Sequence, residues 1–150
     1  MIVYVGSDHN GFVLKKQVCA YLKKRDIDAV DVGDKTLDPD DDFPIFAAAA
    51  VTAMRTSADP HARAILICGS GQGMLMAANR FRGIRAGLGW SVEAAKGIRN
   101  DEDSNVLALP SDVLKQADTL ATDIIDAWLD TPFAQATRYV RRNRELDELS

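Results

Sequence analysis

A thiol, three glycines and a helix start fall together in residues 65–79, ILICGSGQGMLMAAN. An apolar run ends in Cys68, and Gly69, Gly71 and Gly73 follow at alternate positions. Such a stretch reads as a strand, a backbone loop and a helix N-terminus. Successive N–H groups in a loop of this kind can converge on one negative oxygen, and a helix dipole adds to the field. A phosphate fits there, as does an enolate that exists only during a reaction. A cysteine is most often a small buried hydrophobe. Beside converging amide dipoles a thiol ionises more readily, and the thiolate can serve as base or nucleophile. A dinucleotide fingerprint is the other reading of the glycines. The GxGxG spacing and the place after the third strand, not the first, argue against it.

A second group opens the chain, Gly6-Ser7-Asp8-His9-Asn10-Gly11. Ser, Asp and Asn favour turns and helix caps. The histidine beside the aspartate fits a site as well as a cap. Asp8 can accept from a substrate hydroxyl, and His9 can donate to a phosphate or ring oxygen. Near the other terminus, Arg138 and Arg142 stand four residues apart and share a helix face. Two forked guanidiniums suit a phosphate monoester, although Glu145 and Asp147 also fit a solvated face. Asp34, Asp38, Asp40, Asp41 and Asp42 read as solvated surface, with Asp42 placed to cap a helix that opens at Pro44. Asp38-x-Asp40-x-Asp42 begins like a calcium loop, but Phe43 and Ala49 occupy the positions that need glycine and glutamate. His61 reads as surface, and Met74 and Met76 as core.

The elements that must position these groups alternate. Strands are expected at Ile2–Val5, Ile27–Val32, Ala64–Cys68, Ile84–Leu88 and Val106–Leu109. Helices are expected around Leu14–Leu22, with its lysines (Lys15, Lys16, Lys23, Lys24) on other faces than the core stripe, and at Phe43–Met54, Gly73–Phe81 and Val92–Ile98. Two more, Val113–Leu129 and Phe133–Leu149, finish the chain, with Pro132 placed to open the last. The alternation gives an α/β fold, a mainly parallel five-stranded sheet with helices on both faces. Ligands bind such sheets at the carboxyl ends of the strands. That rule picks out Ser7–Gly11, Gly69–Gly73 and the loop near Asn100–Asn105.

The 150 residues suffice for one domain with a real core. A net charge of −4 argues against generic nucleic-acid binding. The apolar stretch Phe43–Met54 is too short to cross a bilayer, and the N-terminus MIVYVGSD lacks a basic leader. The two cysteines, Cys19 and Cys68, form neither a disulfide framework nor a zinc pattern. A cytoplasmic protein with free thiols is expected.

Together GSDHNGF, ILICGSGQG followed by AANRFRGIRA, NVLALP and RYVRRNREL resemble the ribose-5-phosphate isomerase B family, which includes galactose-6-phosphate and allose-6-phosphate isomerases. The likeness runs nearly the whole length. It implies a single Rossmann-like three-layer α/β/α sandwich over residues 1–150, acting as a homodimer or dimer of dimers. The sites lie at the subunit interface, with the helix at about 133–149 in it. It implies aldose–ketose isomerisation of a sugar phosphate, ribose 5-phosphate to ribulose 5-phosphate first, without metal or cofactor. By the resemblance Cys68 moves a proton between C1 and C2, and the amides of Gly69, Gly71 and Gly73 hold the enediolate. Ser70 assists ring opening, Asp8 and His9 contact substrate, and Arg138 and Arg142 clamp phosphate.

The chain departs from that pattern before NVLALP, where the family has a ring-opening histidine and an enediolate-binding asparagine. Counting back from Asn105 puts Asp101 at the histidine and Glu102 at the asparagine. A shifted alignment keeps Asn100 in the asparagine role. A carboxylate from Asp101 can replace the acid/base, whereas Glu102 repels an enediolate unless protonated. Asp112 stands where many relatives carry an arginine, and Phe43 where tyrosine is common. An open-chain four-carbon substrate needs no ring opening, so a tetrose or hexose phosphate is an alternative. A non-catalytic sugar-phosphate binder or silent subunit is another, and a nucleotide-binding domain a third.

Overall fold

In the computed structural model, which describes residues 1–115 and 119–149, five parallel strands alternate with seven helices. They are β1 (Ile2–Ser7), α1 (Phe12–Lys24), β2 (Asp28–Asp31), α2 (Phe43–Arg55), β3 (Arg63–Cys68), α3 (Gln72–Ala78), β4 (Ala86–Leu88), α4 (Val92–Asn100), β5 (Val106–Pro110), α5 (Ser111–Leu114), α6 (Leu120–Asp130) and α7 (Thr137–Glu148). A one-turn 3-10 helix, His9–Gly11, leads into α1. The sheet order is β2-β1-β3-β5-β4, every pair parallel. The α/β fold with a five-stranded sheet is as the alternation implies.

The central strands β3 and β5 are buried along almost their whole length, which is why they read as unbroken apolar runs. Alternate residues feed two cores. Val3, Val5, Ile65, Ile67, Leu107 and Leu109 pack with Val18 and Leu22 of α1 and with Ile124, Ile125 and Trp128 of α6. Ala64, Leu66, Cys68 and Val106 pack with Ala47, Ala50, Val51 and Met54 of α2 and Met74 and Ala78 of α3. The neighbouring strands β1 and β3 therefore send their following helices to opposite faces. A crevice opens between such strands at their carboxyl ends, and Asp8 and Cys68 stand there.

Several expectations are corrected. The loop at Asn100–Asn105 joins the end of α4 to the start of β5, and Ala64 N–H donates to Asn105 O at 3.1 Å. It lies at the amino edge of the sheet, opposite Cys68; the motif precedes its strand. The helix expected over 113–129 is α5 and α6, and residues 116–118 of that span lie outside the described residues. Pro132 does not open α7: residues 131–136 are extended or turned, Gln135 has φ 54°, and Ala136 is the N-cap. The Ala134 N–H donates to Asn100 O, tying this segment to the end of α4. Lys15 is buried and paired with Asp31 at 3.0 Å, and its ammonium also donates to Asp34 O. Met76 is exposed, unlike Met74. Asp42 is the N-cap of α2 but its side chain makes no capping bond. No helix among the described residues is long and apolar enough to cross a membrane.

Candidate active site

Three loops meet at the carboxyl edge. After β1, the Asp8 carboxylate accepts the Gly11 N–H at 3.1 Å and starts the 3-10 turn. Gly11 lies against β3: a Cβ there would stand 2.6 Å from Ile67 O. After β5, Ser111 Oγ donates to Asn10 O at 3.0 Å, and Asp112 N–H donates to Gly69 O at 3.0 Å. These bonds fix the mouths of β1, β3 and β5 relative to one another.

Within the glycine loop, Gly71 has φ +74° and is the N-cap of α3, with no side chain to cap its first N–H groups. Ser70 Oγ accepts the Gln72 N–H at 3.3 Å. The Phe43 ring lies over Gly73, whose hypothetical Cβ would meet it at 2.9 Å. Helix α3 has seven residues, so the loop amides, more than a helix macrodipole, must hold any anion. Cys68 is 5% exposed and pairs in register with Pro110. Its side chain joins the α2/α3 core cluster.

His9 is held from an unexpected side. Its Nδ1 lies 2.6 Å from Asp41 Oδ1, and its Nε2 lies 2.8 Å from the exposed amide of Asn10. The Asp41 bond raises the histidine above its ordinary range, against desolvation. Burial pushes the Asp8 carboxyl up, with the Gly11 N–H opposing. Asp8, His9 and Asp41 bring polar atoms within 4.8 Å of one another. The acidic run thus is not all solvated surface. Its one sequence signal is topological: strands β1 and β2 are parallel neighbours, so the segments following them adjoin.

The remaining candidates gather elsewhere. Asp101, Glu102, Tyr139 and Arg142 line a cavity of about 500 Å³ at the amino edge. Asn100 donates to Asp101 Oδ1 at 2.6 Å. Arg99 turns inward to Asp103 (2.8 Å) and Ser104 O (2.7 Å). Burial and then Asp101 raise the Glu102 carboxyl, while Arg142 lowers it. On α7, Arg141 and Arg144 have carboxylates within 4.0 Å at Glu145 and Glu148. Among the described residues Arg138 and Arg142 form no ion pair; Arg138 stacks on Tyr139. The chain therefore joins Asp8, His9 and Cys68–Gly73 in one place. It does not bring Asn100, Asp101, Arg138 or Arg142 to them.

An open parallel sheet with a glycine loop and a thiol at its switch point defines a Rossmann-like α/β protein. Residues 3–146 match the family described as Ribose/Galactose Isomerase. The chain is 42% identical over 142 residues to the ribose-5-phosphate isomerase B of Mycolicibacterium paratuberculosis, covering 95% of this chain and 87% of that protein. It is 38% identical to the 4-deoxy-4-sulfo-D-erythrose isomerase of a Clostridium species, covering 90% and 82%. The solved ribose-5-phosphate isomerase B of Mycoplasma genitalium, with bound ribulose 5-phosphate, superposes with a TM-score of 0.90 at 33% identity, covering 99% and 95%. The chain belongs to the ribose/galactose isomerase family, and it is an isomerase.

Proposed function

We propose that the protein interconverts an aldose and a ketose phosphate, ribose 5-phosphate and ribulose 5-phosphate first, at a site shared by two copies of the chain. One copy supplies Asp8, His9, Cys68, Ser70 and the amides of Gly69, Gly71 and Gly73. The other supplies Arg138, Arg142 and the Asn100–Asp101 pair. The observation that carries this reading is the separation of the two groups at opposite sheet edges, each incomplete alone. Val140 and Leu146 of α7 and Leu149 just after it are exposed, which suits burial of that helix against a second copy. A cytoplasmic home fits the two free thiols.

In the reaction, the Cys68 thiolate takes the proton from C2 of the open-chain aldose. The electron pair moves into the C1–C2 bond and the carbonyl oxygen becomes an enediolate oxygen. Loop amides hold that oxygen; the O2 hydroxyl passes its proton to O1, and as C2=O forms the C1–C2 electron pair takes the proton back from the thiol at C1. Losing one such donor typically costs ~10²–10³ in rate. Asp112, over Gly69 and paired with Lys115 at 2.7 Å, places a carboxylate at this mouth. The phosphate therefore points away from it, toward the second copy's arginines.

A four-carbon substrate is the second reading, favoured by one observation. The chain has two histidines, His9 and His61, and none at Asn100–Asn105. The Asp101 carboxylate is also held by Asn100. The sulfo-erythrose that the Clostridium relative isomerises has no O4 hydroxyl with which to close a furanose, and erythrose 4-phosphate has that oxygen esterified. The test is kcat/KM and C2 proton exchange for tetrose, pentose and hexose phosphates. Ribose 5-phosphate turns over fastest in the first reading and the tetrose in the second. No exchange with any of them ends both.

A further inference from the structure

The two nitrogens of His9 face different surroundings. Nδ1 points inward to Asp41, whose side chain is only 8% exposed. The second oxygen of that carboxylate, Oδ2, is buried and has no hydrogen-bond partner among the described residues. Nε2 points outward and meets only the exposed side chain of Asn10. A carboxylate so far removed from water is costly unless a cation matches it. His9 is the cation within reach, and the contact is as short as charge-assisted bonds become.

We propose that Asp41 is a positioning residue for the isomerase reaction: it fixes the His9 ring and its charge, so that Nε2–H is delivered to an anionic oxygen of the bound substrate. This rests on the reading that His9 contacts substrate. A bond at Nδ1 sets which ring atoms carry protons. With the ring charged, both nitrogens donate, and the Asn10 amide turns its oxygen to Nε2. An incoming oxyanion displaces that exposed amide and leaves the inner bond intact.

The charged groups facing the ring are acidic from each neighbouring segment. Asp8 lies in its own turn, and Asp41 and Asp38 lie in the segment between β2 and α2. Asp112 stands over Gly69, beside Asn10. The Asp41 hydrogen bond leads in raising His9, and Asp41, Asp8 and Asp38 add through their charge.

The test uses Asp41→Asn, which keeps an oxygen that can accept from Nδ1–H but removes the charge, and Asp41→Ala, which removes both. Proton NMR of the histidine C2–H signals resolves two residues, with exposed His61 as the internal reference. Wild-type His9 titrates above the ordinary histidine range. In Asp41→Asn it moves to lower pH while His61 stays. The limb of the KM–pH profile set by His9 moves with it. Between the variant's limb and that of wild type, where only wild-type His9 is charged, KM of the variant is higher on the order of tenfold, the loss expected for one charge-assisted hydrogen bond, with kcat little changed. Asp41→Ala raises KM further. Inorganic phosphate serves as a probe independent of turnover: it shifts the His9 signal in wild type and does so more weakly in Asp41→Asn. An unchanged His9 titration in Asp41→Asn overturns the proposal, as does a KM increase with no movement of the pH limb. If no sugar phosphate is isomerised, equal phosphate affinity in both proteins overturns it and weaker affinity in the variant sustains it.

Discussion

Mixing two inactive variants tests the shared site. Within one chain, Ala64 is bonded to Asn105 at the amino edge of the sheet, and Cys68 lies four residues further along β3. At ~3.3 Å per residue those points are about 13 Å apart. Asp101 and Arg142 lie at that same edge. Proton transfer and hydrogen bonding need ~3 Å, so a chain's own Asp101 cannot act on a sugar held at its own Cys68, and Arg142 lines the same cavity as Asp101. Cys68→Ala and Arg142→Ala should each be deeply impaired. In a heterodimer of the two, one site carries both lesions and the other carries neither. Random reassortment makes half the dimers mixed, so about a quarter of all sites become intact. Subunits mixed in mild urea and dialysed together should recover about a quarter of the wild-type rate, read by a coupled isomerisation assay. A mixture that stays at the average of its two components refutes the shared site, as does a wild type that is active as a monomer.

Two further outcomes follow from single residues. Gly71→Ala forces a side chain into φ +74°, with its Cβ 2.6 Å from Leu88 Cδ1 and 3.2 Å from Pro110 N. Backbone strain of ~1 kcal/mol and overpacking of about 1–3 kcal/mol together lower stability by roughly 2–4 kcal/mol. In thermal melts this is a fall of about 5–15 °C; a change under about 2 °C would show that the loop relaxes freely. Asp8 is a buried acid held above its ordinary value by desolvation. The folded state therefore binds this proton more tightly than the unfolded chain. That contribution is present below the unfolded value of about 3.9 and is lost as pH rises through the folded value. Asp8→Asn lacks this dependence. The Tm advantage of wild type over Asp8→Asn is thus larger near the acid end than at neutral pH; a gap that widens toward neutrality contradicts the assignment.

The elements were legible where periodicity and burial agree. The runs of β3 and β5 are buried on both faces, and the stripe of α1 holds Val18 and Leu22 in the core. The thiol and glycines were legible because a strand, a tight loop and a helix start leave a local record. What local pattern could not carry was which sheet edge a loop occupies. The Asn100–Asn105 segment looks like a ligand loop from its polar residues, yet chain direction sends it to the amino edge. Lys15 sits off the apolar stripe but is buried because Asp31 and Asp34 O receive its ammonium. Asp41 reads as solvated surface inside a run of like residues, since its partner is 32 residues away. Pro132 has the chemistry of a helix start, but the bond from Ala134 to Asn100 holds the segment extended and delays α7 to Thr137.

The thiol itself is the most direct object of measurement. Cys68 belongs to an apolar cluster and is only slightly exposed, so its chemistry depends on the glycine loop admitting C1 and C2 of the sugar to the sulfur. Incubation with substrate in deuterated water, followed by NMR at C2 of the aldose, reads proton abstraction directly. Wild type incorporates solvent deuterium, and Cys68→Ala loses incorporation and isomerisation together by at least ~10³, with its melting temperature near that of wild type. Deuterium entering C2 at a near wild-type rate in Cys68→Ala would contradict the assignment of this cysteine as the base.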